Sequence, residues 1–93
     1  MEESVTIPAG ELSLEGRFWA GGGEGAALIT HPHPLFGGSM NNNVVWTAHR
    51  ACEARRWSTL RFNFRGVGQS TGSYGDGVQE AADVKAADRK SVV

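Results

Sequence analysis

The sequence predicts an α/β protein in which an antiparallel hairpin leads into a mostly parallel sheet flanked by helices. Three observations predict it. Leu12, Leu14 and Phe18 keep a period of two near the start of the chain, Ala26–Thr30 is an apolar run without alternation, and two stretches of helical period follow later in the chain. The order strand, strand, strand, helix, strand, helix is that of a sheet whose crossovers are helical.

Each element has its own reason. "SVTIPAG" and "ELSLEGRFW" read as two short strands joined by a Pro-Ala-Gly turn. Leu12, Leu14 and Phe18 keep a period of two, with Glu11, Ser13, Glu15 and Arg17 opposite. "AGGGEG" is a flexible turn, and "AALIT" is then expected to be a strand covered on both faces. "HPHPLFGGSM" cannot be helical, because Pro32 and Pro34 remove two donors and push their predecessors into extended geometry. Asn41, Asn42 and Asn43 offer an N-cap to a helix ending near Arg55 or Arg56. Val44, Ala48, Ala51 and Cys52 would share its buried face, with His49, Arg50 and Glu53 away from it. "WSTLRFNF" is the next strand, with Leu60, Phe62 and Phe64 on one side. A glycine-rich loop runs to about Asp76, and "DGVQEAADVKAA" follows as a second helix, with Val78, Ala81, Ala82 and Lys85 at helical spacing.

Composition bounds the function. Ninety-three residues allow at most one small domain, and the single cysteine, Cys52, cannot form an internal disulfide. A reducing, cytoplasmic setting is the natural expectation. The opening "MEESVTIPAG" is acidic and lacks the basic and apolar regions of a signal peptide. No apolar stretch approaches membrane-spanning length. Arg50, Arg55, Arg56, Arg61 and Arg65 are close in sequence, but the net charge is -1 and no nucleic-acid motif accompanies them. They read as a solvated helix face plus one structural arginine.

Gly68-Gln69-Ser70-Thr71-Gly72 spells G-x-S-x-G, the nucleophile elbow of serine hydrolases. The elbow needs its serine on a strained turn directly between strand and helix. Here "RGVG" separates Ser70 from the preceding strand, and "TGSYGDG" continues as loop. Ser70 is therefore expected to bind local backbone, as turn serines do. His31 and His33 have the i, i+2 spacing of a metal pair, but prolines break the strand and no convincing third ligand follows. Gly66 and Gly68 lack the third glycine of a dinucleotide loop. No metal and no cofactor are expected. A small non-catalytic binding or structural domain is the alternative from a different class.

"LITHPHPLFGGSMNNNVV" and "STLRFNFRGVGQSTGSY" together resemble the N-terminal part of an α/β-hydrolase. The resemblance is to small bacterial hydrolases with a His-Pro-His-Pro-Leu-Phe-Gly-Gly signature, related to the dienelactone-hydrolase and acyl-peptidase-like groups, and it covers residues 5–87. It implies a serine hydrolase that cleaves an ester, thioester or amide through an acyl-enzyme, with a small-molecule acyl substrate. In that family the loop after the strand ending at the His position supplies part of the oxyanion hole. Carried over, the loop starts at His31. Pro32 and Pro34 cannot donate, which leaves the backbone N–H groups of His33 and Leu35 as candidates. Gly37 and Gly38 would let the chain bend close to substrate. The family's Arg-Gly-x-Gly-x-Ser loop falls on Arg65, Gly66, Gly68 and Ser70. An aspartate often stands two positions before that arginine; here Asn63 stands there. Many relatives carry glycine where this chain has Arg56. By the resemblance nucleophile, acid and base are all expected after Ala87, and this chain alone is expected to be inactive.

The final six residues, "DRKSVV", are also the translation of GAT CGG AAG AGC GTC GTG, a common sequencing-adapter string. Residues 88–93 are therefore expected to be a non-native tail, and residues 1–87 the N-terminal part of a longer domain.

Overall fold

The computed structural model describes residues 2–31, 38–73, 75 and 79–91, with side chains through Asp88. Strands β1 (Glu3–Ala9), β2 (Leu12–Trp19), β3 (Ala26–Ile29) and β4 (Ser58–Phe62) form one sheet in the order β1-β2-β4-β3. Helix α1 (Asn43–Ala54) connects β3 to β4, and α2 (Glu80–Ser91) follows β4. β1 pairs antiparallel with β2, and β2 antiparallel with β4. β3 and β4 pair in parallel, as the helical crossover requires.

The hairpin turn is tighter than expected. Pro8 and Ala9 belong to β1, and Ala9 pairs with Leu12, so the turn is Gly10-Glu11 alone. Gly10 has a φ of 63°, the left-handed region that glycine enters without a Cβ penalty. Pro8 is tolerated because β1 borders the sheet, where a missing N–H breaks no ladder bond on the open side.

Register sets the core. Ile7 pairs with Leu14, and Phe18 with Leu60, so their side chains share one face of the sheet. Ile7, Leu14, Leu60 and Phe62 are buried there under Ala86 and Ala87 of α2. Phe64 lies beyond the end of β4 but still packs against this cluster, with its ring edge-on to Phe62 at 5.1 Å. The opposite face of β4 carries Thr59 and Arg61, both buried against α1 and the turn before it.

Among the described residues the strand covered on both faces is β4 rather than β3. β3 ends the sheet order, its residues are at best half-buried, and Ala26 is exposed. An apolar run tells that a strand can be buried, not which strand holds the centre.

Helix α1 starts as expected: Asn42 is its N-cap, and its side-chain oxygen accepts from the Val44 N–H at 2.8 Å. Its buried face is shifted by one residue from the expected one. Val45 and His49 are buried, Ala48 and Cys52 partly so, while Val44 is 70% exposed. Positions 45, 48, 49 and 52 keep the i, i+3, i+4, i+7 spacing, but the polar His49 occupies a core position. Helix α2 shows the same substitution of polar for apolar. Glu80, Asp83 and Ala87 are buried and Val84 partly so, whereas Ala81, Ala82 and Lys85 are exposed. Val78 lies outside the described residues.

Candidate functional site

In a sheet with parallel strands, ligands bind beyond the carboxyl ends of those strands. Here those ends are Ile29 of β3 and Phe62 of β4, and three backbone segments meet there: His31, residues 38–42 and the loop 63–73.

His31 is 8% exposed and stands edge-on to the Phe64 ring at 4.8 Å. Its Nε2 accepts the Phe64 backbone N–H at 3.0 Å. A backbone amide can only donate, so Nε2 is unprotonated in this bond and the ring proton sits on Nδ1. Gly38, expected to shape this loop, is buried. Met40 is held at both its peptide groups: its N–H donates to Asn63 Oδ1 at 2.8 Å, and its carbonyl accepts from the Arg61 guanidinium. His33, Leu35 and Gly37 lie outside the described residues.

Loop 63–73 is knitted to β2. Asn63 N–H donates to the Glu15 carbonyl at 2.8 Å, continuing the β2–β4 pairing one residue past the strand. Ser70 is 7% exposed. Its hydroxyl donates to the Asn63 carbonyl at 2.7 Å and accepts from the Glu15 N–H at 2.8 Å. Thr71 reaches Ser13 in the same way, through main chain and hydroxyl. The Glu15 carboxylate takes the Asn63 Nδ2 at 2.8 Å and the Gln69 N–H at 2.9 Å. Gly66 and Gly68 have φ of 79° and 56°. At Gly68 a Cβ would also come within 2.5 Å of Asn63 Nδ2 and 2.6 Å of Glu15 Oε1, so a side chain there would be strained by its φ and would push against that hydrogen-bonded pair.

Arg65 is turned away from Asn63 and towards α2. Its guanidinium meets Asp83 at 2.8 Å, its own N–H donates to Asp83 Oδ2 at 2.9 Å, and Nη1 reaches Gln79 Oε1 at 3.1 Å. The Asp83 hydrogen bonds hold the Arg65 guanidinium more firmly protonated than usual, against the opposing effect of burial. The ion pair of Arg65 is made with Asp83 of the next helix, while the Asn63 side chain bonds Met40 and Glu15.

The sequence reading missed a second buried cluster beneath α1. Arg61 donates to both oxygens of Glu2, at 2.8 and 2.7 Å, and to Asn41 Oδ1 at 3.0 Å, and lies 5.0 Å from the Trp46 ring centroid. His49 is 1% exposed, is stacked on Trp46 at 5.1 Å, and shares a hydrogen bond with Thr59 at 3.0 Å. The Arg61 hydrogen bonds keep the Glu2 carboxyl below the ordinary carboxylate range, with burial pulling the other way. Two arginines are therefore structural rather than one; Arg50, Arg55 and Arg56 are exposed. Among the described residues no His, Cys, Asp and Glu side chains gather as a metal cluster. None of the described helices is long and apolar enough to cross a membrane.

The strand order, the parallel β3–β4 pair and the helix on each face are those of the N-terminal portion of the α/β-hydrolase fold. An alpha-beta serine hydrolase homologue from Coxiella burnetii is 43% identical, with a TM-score of 0.86, over 95% of this chain and 44% of that one. The protein XC6422 from Xanthomonas campestris, a serine hydrolase without a lid, is 32% identical with a TM-score of 0.81, over 96% of this chain and 43% of that one. An uncharacterized protein of Rickettsia prowazekii (strain Madrid E) is 45% identical over 79 residues, 83% of this chain and 33% of that protein. No protein-family model matches. The chain thus spans about a third of its curated relative and less than half of these solved structures.

Proposed function

We propose that this chain is the N-terminal part of a serine hydrolase that cleaves an ester, thioester or amide through an acyl-enzyme. The proposal extends to the group with the His-Pro-His-Pro-Leu-Phe-Gly-Gly signature. The chain's part in the reaction is the oxyanion hole. Acyl transfer builds negative charge on a carbonyl oxygen, and a preplaced N–H donor lowers the barrier by about 3 kcal/mol. The backbone of His33 and Leu35 would supply such donors, on the loop that leaves β3 at His31. Nucleophile, acid and base come from sequence after Ala87. The substrate is a small acyl compound, and the setting is cytoplasmic, as the single cysteine suggests.

The observation that carries this reading is the state of Ser70. Its hydroxyl is buried with a donor and an acceptor already in place, at a loop position that neither ends a strand nor begins a helix. An attacking hydroxyl needs a histidine base and an open approach to substrate. A structural Ser70 beside a strand-end loop fits the half of the fold that binds the oxyanion.

The test is hydrolysis of a p-nitrophenyl ester by the native polypeptide that carries residues 1–87. Activity that survives Ser70→Ala, measured on the folded fraction, agrees with the proposal. Activity abolished by that change in a folded protein contradicts it, and absence of any acyl hydrolysis favours the non-catalytic alternative. The nucleotide sequence at codons 88–93 tests the non-native tail: natural codons continuing an ordinary gene would dismiss it.

A further inference from the structure

The segment from His31 to Met40 is tied at both ends to one four-residue stretch, 61–64. His31 receives the Phe64 N–H, while Met40 is held by Asn63 through its N–H and by Arg61 through its carbonyl. Of these partners Asn63 has the most restrictive chemistry. Its side chain is buried, with the residue 2% exposed, and it must accept at one end and donate at the other. The Met40 N–H offers only a proton, and the Glu15 carboxylate, already accepting from Gln69, offers only lone pairs. A carboxamide satisfies both in a single orientation. A carboxylate at position 63 would still accept from Met40 but would face the Glu15 carboxylate at hydrogen-bond distance.

We propose that Asn63 is a positioning residue of the hydrolytic site, fixing where the strand-end loop returns at Met40, and that it acts only as an amide because Glu15 faces its other end. The inference rests on the hydrolase reading above. It makes residues 15 and 63 a matched pair: acid with amide, or amide with acid, but not acid with acid. The matched pair gives a rescue that a merely space-filling asparagine would not show.

The experiment uses Asn63→Asp, Glu15→Gln and the double variant in the native polypeptide, with two readouts. Hydrogen exchange of the Met40 amide reports the tie itself, and kcat and KM for a p-nitrophenyl ester report its use. Asn63→Asp is expected to speed Met40 exchange about tenfold or more and to lower kcat by a similar factor, with KM little changed. Glu15→Gln alone is expected to be mild, because its side-chain oxygen still accepts from Asn63 and Gln69. The double variant is expected to recover both readouts in large part, the new amide donating to the new carboxylate while the Gln69 N–H loses the oxygen it now shares with Asn63. Unchanged exchange in a folded Asn63→Asp protein overturns the requirement for an amide facing Glu15, and altered exchange with unchanged kcat overturns the positioning role. If Asn63→Asp does not fold, a double variant that folds but regains neither readout also overturns it. A wild type without hydrolysis, but with the exchange pattern above, sinks the hydrolase reading and its positioning role while leaving the tie demonstrated.

Discussion

Arg61 and Arg65 stand four residues apart and hold opposite sides of the molecule. Arg61 works on the α1 face, where it gathers Glu2, Met40 and Asn41 from the start of the chain and the turn before α1. Arg65 works on the α2 face, where it fixes the Arg-Gly loop to Asp83. Their partners differ in one decisive respect. The Glu2 side chain keeps 16% of its surface in contact with solvent, near the start of β1, whereas Asp83 keeps none. A partner near water can be rehydrated when its arginine is lost. A partner in the middle of a packed helix face cannot. An ion pair's cost of loss therefore depends on where the survivor is left.

The largest effect should come from Arg65→Ala. Asp83 would be left buried without its countercharge, keeping only the bond from the backbone N–H of residue 65, and the loss is expected to be about 3 kcal/mol, read as a shifted urea midpoint. Arg61→Ala should cost less, about 2 kcal/mol, because Glu2 can turn to solvent and the main loss is the bond to the buried Met40 carbonyl. If Arg61→Ala proves the costlier of the two, the comparison fails. A third arginine sharpens it by opposite sign. Arg56 follows the C-cap of α1 at a φ of 60°, a left-handed conformation that costs a side chain about 1 kcal/mol. Arg56→Gly should stabilise by up to that amount, provided the bond from the Gly23 N–H to the carbonyl of residue 56 is kept.

The smallest effect should be that of pH on Glu2. Its carboxyl is held below its ordinary value of 4.5, chiefly by hydrogen bonds from Arg61. A lowered folded-state pKa favours folding fully above the unfolded value, and that contribution is lost as pH falls through the lower folded value. The stability gap between the wild type and Glu2→Gln should therefore be constant above about pH 5 and shrink below 4.5. A gap that widens on acidification would contradict the assignment.

The sequence made the elements legible where local chemistry decides them. The alternation of Leu12, Leu14 and Phe18, the Asn42 cap and the loop character around Ser70 are all local properties. The helix faces were not legible. His49, Glu80 and Asp83 are polar residues at core positions, and a hydrophobic period cannot register them. The partners that make their burial tolerable are Thr59, Gly75 and Arg65, on other segments. The Arg61–Glu2 pair spans 59 positions, so no window along the chain contains it. The same holds for Asn63. As a letter it looked like a departure from aspartate at a family position, and only the facing carboxylate of Glu15 shows what the amide is for. The spacing of two prolines around His33 marked the strand-end loop, but His33, Leu35 and Gly37 lie outside the described residues.

The central claim is that this chain lends backbone donors while another segment supplies the attacking hydroxyl. It is tested most directly by labelling the native polypeptide with a fluorophosphonate and mapping the modified serine by mass spectrometry. The account predicts a single labelled serine in sequence beyond Ala87, with Ser70 unmodified. Label on Ser70, or a folded protein that takes no label at all, would contradict it.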